Sequence, residues 1–456
     1  RSPSRGLGDV YKRQASSREL LNRFVSFYSN ASYTYDDKYV LSGSIRWDRS
    51  NLWGTNSKYQ NKPLWSVGGS WNIYKEKFFQ ADFVDMLKLR ASYGIGGNIG
   101  RNTAPYLIAS YYDSSLVDGM AGAVNTPPNK DIRWEKTTTV NVGVDFALFR
   151  HRLSGTIEYY NKYSVDLLAA INGSPTQGFG YTTLMTNNGK MVNRGVEITL
   201  SGEIIRQKDF SWNASLLYAF NRNKVKHISV QPSLWDSRIS MPTSYPMVGK
   251  PLYGIYAYKW AGLNENGDPQ VYDAENNVTS GPARDYHALV YCGTTVPIHN
   301  ASLTNVLRYK GFEFSAMLIL DAGHKLRSSN IPSINMSNGR ITSTAKGIVD
   351  RWTQPGDVTD VPRLLFSNDT ENFNTHRTEL YRYSDLFVYD ASNIRLSNIS
   401  LAYRVPAHWC KKISLSGARL QFNVENVATF AFDSKANYDL GGKVKPNYVW
   451  GLYLNF

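Results

Sequence analysis

Seven histidines, His151, His227, His287, His299, His324, His376 and His408, are scattered singly along the 456 residues. A zinc hydrolase sets two of them one helical turn apart around a glutamate, and no HExxH pattern occurs. Neither a GxSxG elbow nor a phosphate-cradling GxxxxGK[ST] loop occurs either. Asn264-Glu-Asn-Gly-Asp268 has the composition of a calcium loop without its acidic spacing or closing glutamate, so a Gly-Asp hairpin turn is expected there. Gly94-Ile-Gly-Gly-Asn-Ile-Gly100 continues into Arg-Asn-Thr rather than a helix, which argues against a dinucleotide site. The residues therefore predict no enzyme, no cofactor and no metal centre.

What is left is the chemistry of contact. Trp53, Tyr111, Tyr112, Trp235 and Trp352 lie in stretches rich in Gly, Asn and Pro. A flat aromatic face suits the apolar side of a pyranose ring, and such stacking contributes about 1–2 kcal/mol. Packing between loops, or against a covering protein, would use the same residues. Asp145, Glu158, Glu197 and Glu203 fall on the polar side of alternating segments. They could touch a ligand, or simply solvate a wide lumen.

The elements that must position these residues read as strands. In the terminal Tyr448-Val-Trp-Gly-Leu-Tyr-Leu-Asn-Phe456, Tyr448, Trp450, Leu452, Leu454 and Phe456 share one face. In 134–149, Val140, Val142, Val144, Phe146 and Leu148 oppose Thr137, Thr139, Asn141, Gly143 and Asp145. The pattern recurs at 24–35, 39–49, 64–74, 86–95, 152–168, 191–205, 210–221, 299–309, 312–326, 393–405, 417–428 and 444–456. That makes about 13 strands of roughly 10–15 residues, long enough to cross a bilayer at a tilt. Connections alternate strictly between short and long, the plan of a barrel with short periplasmic turns and long extracellular loops. A short helix is expected at 343–352. The predicted fold class is all-β, a transmembrane antiparallel β-barrel that is partial as it stands, since bacterial single-chain barrels have even strand numbers.

Composition agrees. No stretch is long and apolar enough for a membrane helix, and the 31 tyrosines and 11 tryptophans suit strands and membrane interfaces. The net charge of +14 is dispersed. A nucleic-acid protein would gather it on one face, so the expected partner is anionic outer-membrane lipid or acidic material elsewhere. Cys292 falls in a long connection and Cys410 in a short one, so no disulfide is expected. Asp9-Val-Tyr-Lys-Arg-Gln14 looks like translated transposon sequence. Residues 1–14 are therefore read as an assembly artefact and 15–456 as barrel, with plug and first strands lying upstream.

Several motifs together resemble the SusC/RagA family of TonB-dependent outer-membrane transporters. They are Asn193-Arg-Gly-Val-Glu-Ile-Thr-Leu200, Gly249-Lys-Pro-Leu-Tyr-Gly-Ile-Tyr-Ala-Tyr-Lys-Trp-Ala-Gly-Leu-Asn-Glu-Asn-Gly-Asp-Pro269, Asp350-Arg-Trp-Thr-Gln-Pro355, Asp390-Ala-Ser-Asn-Ile-Arg-Leu-Ser-Asn-Ile-Ser-Leu-Ala-Tyr-Arg-Val-Pro406 and Asn423-Val-Glu-Asn-Val427. The resemblance implies a plugged barrel that imports oligosaccharides, or peptides in some members. It further implies a SusD-like lipoprotein lid and energy from TonB through an upstream region. It also implies that barrel-assembly machinery recognises a last strand such as Leu452, Leu454 and Phe456. The rival classes are a passive porin, an outer-membrane adhesin barrel, a soluble adhesin or β-sandwich, and an outer-membrane enzyme barrel, which would need a nucleophile–base set near the outer rim.

Overall fold

The computed structural model describes residues 23–456 except 53, 61, 101–104, 115–118, 175, 177–182, 233–236, 282–284, 337–343, 367–374 and 442–444. Thirteen strands form one sheet in strictly sequential order. They are β1 Phe24–Tyr35, β2 Tyr39–Ser50, β3 Leu64–Asn72, β4 Val84–Asn98, β5 Glu135–Leu148, β6 Leu153–Asn172 and β7 Thr183–Arg206. Then follow β8 Phe210–His227, β9 His299–Tyr309, β10 Phe312–Ala322, β11 Asn393–Arg404, β12 Gly417–Ala431 and β13 Asn447–Asn455. Every neighbouring pair is antiparallel. Among the described residues β1 and β13 each have one partner only, so the sheet has two free edges.

The order follows from the connections. Residues 36–38, 73–83, 149–152, 207–209, 310–311 and 405–416 make the short turns at one end. Asp36 and Asp37 adopt φ of 50° and 52°, the left-handed region that Asp tolerates, and the Lys38 N–H closes the turn on the Tyr35 carbonyl at 3.0 Å. The opposite end carries 51–63, 99–134, 173–182, 228–298, 323–392 and 432–446. Cys292 and Cys410 lie at opposite ends as expected, both as free thiols.

Several boundaries differ from the sequence expectation; β4, β6 and β8, for example, run on to Asn98, Asn172 and His227 rather than 95, 168 and 221. β7 begins at Thr183 rather than near 191, and runs for 24 residues. Roughly 10 residues suffice to cross a bilayer, so β6, β7 and β8 extend past the membrane on the loop side. β10 ends at Ala322 rather than 326 because Gly323 turns at φ +78°. Lys325–Arg327 then pairs with Val388–Asp390 instead. The helix expected at 343–352 is a single 3₁₀ turn, Lys346–Asp350, whereas a true helix forms at Thr375–Arg382.

Register divides the sheet into two faces. One carries Leu41, Val67, Tyr93, Val142, Ile157, Leu217's neighbours Leu216 and Tyr218, Leu303, Leu318, Leu401, Leu420 and Leu452 in cross-strand rows. Water would not tolerate that face; hydrocarbon does. Aromatics flank it at both ends. Near the turns, Tyr39 stacks between Tyr35 and Trp71, each at 6.4 Å, and Phe312 meets Tyr403 at 4.5 Å. The Tyr39 hydroxyl and the Trp71 indole N–H both donate to Glu76 in the turn, so the polar tips are satisfied outside the apolar band. Near the loops, Phe27 stacks on Trp47 at 5.8 Å and Trp65 meets Tyr93 at a tilt, 5.6 Å between ring centroids. Tyr39 to Trp47 along β2 is ~26 Å of strand, or ~20 Å of height at a ~40° tilt, close to the apolar band of a membrane barrel.

Candidate functional site

The other face is a polar wall. Ser42, Gly68, Ser70, Lys88, Arg90 and Asn141 line a shallow cavity of about 230 Å³ on it. Arg90 is its electrostatic centre. Its Nε donates to Asp145 at 3.2 Å, its Nη2 pairs with Glu158, and Thr156 Oγ1 donates to Asp145 at 3.0 Å. Glu197 stands directly across from Glu158 in the β6–β7 register. Three of the four expected acidic residues therefore gather on one patch, with Arg90 between two of them. Glu203 lies apart, near the turns, 3.4 Å from Arg206. Beside it in height, Glu313 holds Arg308 at 2.7 Å and Arg419 at 3.1 Å.

Gly195, at the heart of the Asn-Arg-Gly-Val motif, has a packing role. A Cβ there would run into the Tyr160 ring, which lies across the glycine and is buried on the wall. Lys162 Nζ caps that ring at 4.8 Å.

Above the wall, connections 228–298 and 323–392 fold into a single assembly. Tyr256, Tyr258, Val271, Ala288, Leu289 and Leu380 form one buried cluster; Ile334, Tyr381 and Phe387 form a second, and Trp260 packs against both. Asp268 binds the two loops. It accepts from Arg363 at 3.1 and 2.9 Å and from Arg377 Nε at 2.6 Å, while Arg377 also donates to the Arg363 carbonyl at 2.8 Å. The Arg327 guanidinium donates to the carbonyls of Tyr256 at 2.7 Å and of Arg382 and Ser384 at 3.2 Å. Burial holds the Arg327 and Arg377 guanidiniums below their ordinary values and pushes the Tyr381 phenol up. Burial likewise pushes the Cys292 thiol up to about 11. A third loop joins through Asp439, which accepts from Ser328 Oγ at 2.8 Å and from Ser329 N at 3.0 Å.

The loop aromatics separate into distinct places. Tyr111 and Tyr112 sit on the hairpin Ile108–Ser114 with Gly119–Thr126, Tyr111 at 73% exposure beside Gly122. Being consecutive on a strand, they point to opposite faces. Trp352 is half-buried against Gly267 of the neighbouring loop, where φ is +74°. Trp53 and Trp235 lie outside the described residues. Leu452 and Leu454 are on the apolar face of β13, and Phe456 follows at 92% exposure. Asn264–Asp268 is the turn of the hairpin between Trp260–Leu263 and Pro269–Tyr272, with Asn264 Oδ1 accepting from Asn266 N and Asp268 N. The Asp268 carboxylate faces the two arginines. Sequence reasoning missed that hub because its partners lie 95 and 109 residues away.

Comparison with known proteins agrees with this geometry. The family described as TonB dependent receptor-like, beta-barrel matches residues 2–427. TonB-dependent receptor P3 of Formosa agariphila is 27% identical over 98% of this chain and 45% of its own length. TonB-dependent receptor SusC of Bacteroides thetaiotaomicron is 25% identical over 92% of this chain and 41% of its own. The chain thus spans about half the length of the curated relatives it matches. The RagAB peptide transporter structure superposes with a TM-score of 0.77 at 22% identity, over 98% of this chain and 50% of that one, which shows a shared fold. The continuous antiparallel sheet, the polar wall backed by an apolar face and the match over most of the sequence lead to one assignment: the chain belongs to the TonB-dependent receptor-like β-barrels of the outer membrane.

Proposed function

We propose that this chain is the C-terminal barrel portion, residues 15–456, of an importer of oligosaccharides. Residues 1–14 are proposed to be an assembly artefact, checked by resequencing the locus. A plug and TonB-contacting segment would come from the upstream half, and a SusD-like surface lipoprotein would close the loop side. The observation that carries this reading is the likeness to SusC over nearly the whole chain, joined to a polar wall on which Arg90, Asp145, Glu158 and Glu197 gather opposite the apolar face. In it, Tyr111, Tyr112, Trp53, Trp235 and Trp352 contribute sugar-facing or lid-facing aromatic surface. Leu452, Leu454 and Phe456 present the last strand to the assembly machinery.

The test is uptake. Cells lacking the complete gene should lose growth on one class of oligosaccharide, and an uncoupler of the inner-membrane gradient should abolish uptake in cells that have it. Gradient-independent uptake would instead mean a passive pore. Loss of growth on oligopeptides alone would move the cargo to the class named for RagAB.

A further inference from the structure

The outward face of β6–β8 carries cations where the apolar band ends. Along β8, Leu216, Tyr218 and Phe220 face outward, and Arg222 and Lys224 continue that face toward the loops. Arg194 of β7 lies directly opposite Arg222 in register, and Asn161 of β6 lies opposite Arg194, accepting from its Nε at 3.0 Å. Tyr159 and Tyr163 flank Asn161 on the same face. Arg194, Arg222 and Lys224 are all exposed. The adjoining loop runs alongside: Gly249 N donates to the Val225 carbonyl and Val225 N to the Lys250 carbonyl, each at 2.9 Å, and Lys250 Nζ lies 4.8 Å over the Tyr291 ring.

Like charges directly opposite on neighbouring strands destabilise a sheet. Here, among the described residues, neither guanidinium forms an ion pair with a carboxylate. From Ile157, Ile198 and Leu216 the outward positions run through Val165 on β6, Val192 on β7 and Lys224 on β8 with no Asp or Glu among them; Asp166, in the bulge just beyond, is paired with Arg133 at 2.7 Å. Arg222 sits two residues beyond Phe220, ~7 Å farther along the strand, which is the depth of headgroups rather than of chains. Paired guanidiniums are suited to bidentate contact with a phosphate.

We infer that Arg194, Arg222 and Lys224 form a binding site for the phosphate-bearing headgroup of an outer-leaflet lipid, with Lys250 as a fourth cation. The inference rests on the membrane assignment of the apolar face and on nothing about cargo. Asn161 fixes the Arg194 fork, and the tyrosines rest at the base of the headgroup.

The complete protein, purified in detergent, is placed in phosphatidylcholine nanodiscs with either bisphosphorylated or dephosphorylated lipid A, and bound lipid is counted by native mass spectrometry. The unmodified protein should retain the bisphosphorylated lipid. The Arg194→Gln/Arg222→Gln/Lys224→Gln variant should retain about tenfold less or lower still, since each cation near an anionic surface contributes measurably. Heat-modifiable electrophoretic mobility reports folding; should the triple variant fail it, Arg222→Gln alone is used, with about a fivefold loss expected on the same scale. Equal retention by variant and unmodified protein overturns the site. So does equal retention of the dephosphorylated lipid, or full displacement by inorganic phosphate, which would mark a free-anion site. A chain that never enters nanodiscs overturns the membrane assignment itself.

Discussion

Arg377 Nε lies 2.6 Å from Asp268 Oδ1, a contact between two different extracellular loops separated by 109 residues of chain. Arg377 is buried, and removing its partner strands a desolvated charge. Asp268→Ala should therefore loosen the loop assembly by about 3 kcal/mol. Amide exchange over 254–258 and 375–382 should quicken by about two orders of magnitude, while the barrel strands keep their protection.

Gly267 turns at φ +74° with the Trp352 ring against it. Gly267→Ala meets both a disfavoured backbone conformation and that ring, and should cost about 1–3 kcal/mol. Protease cleavage within 350–363 should increase. Trp352→Ala in the same background should relieve part of the loss, measured as a double-mutant cycle.

Asp390 has its carboxyl held down to about 2; burial opposes the charge, but hydrogen bonds from Ser392 and the Lys325 ammonium outweigh it. A depressed acid stabilises the fold fully above its unfolded value near 3.8 and loses that contribution as pH falls through about 2. Protection of the 325–327 and 388–390 amides should fall across that window, and Asp390→Asn should flatten the dependence.

Cys292 should alkylate slowly. Burial raises its thiol to about 11 from an ordinary 9.0, which lowers the thiolate fraction at pH 8 about a hundredfold. Maleimide labelling of the folded protein should lag urea-unfolded protein by that order. Because the neutral thiol is favoured when folded, its contribution is whole below pH 9.0 and is lost as pH rises through about 11.

Phe422 packs on Trp450 at 4.2 Å across β12 and β13. Leu454→Ser and deletion of Phe456 should lower the folded fraction in outer membranes by several-fold, read as heat-modifiable protein, because both remove apolar surface from the lipid-facing rim. Tyr453→Ser, on the opposite face, should leave that fraction nearly unchanged.

The strands were legible because a period of two survives in every one: Val140 to Leu148 and Tyr448 to Leu454 could point their apolar side only one way. The turns were legible for a similar local reason, as at Asp36-Asp37. The loop assembly was not. Gly254–Tyr258 is buried at every position, so it shows no alternation to find. The Asp268–Arg377 contact depends on two distant segments meeting, which local spacing does not encode. Of the acidic wall residues, alternation placed Glu158 and Glu197 on one side, but the fork of Arg90 between Asp145 and Glu158 appears only with the register of three strands. The aromatics divided by context: Tyr111 is open to solvent, and Trp352 is engaged by a glycine that nothing nearby in sequence announces.

Among the described residues β1 and β13 each keep one rim without a partner strand, and this bears on biogenesis. Each rim presents a row of backbone amides and carbonyls that oil cannot solvate, at several kcal/mol apiece. Hydrophobic side chains pull the sheet inward while its unmet peptide groups hold it back. Insertion of this half is therefore energetically conditional on a seam: some other stretch of polypeptide, or a catalyst offering a temporary strand, must occupy both rims until the cylinder closes.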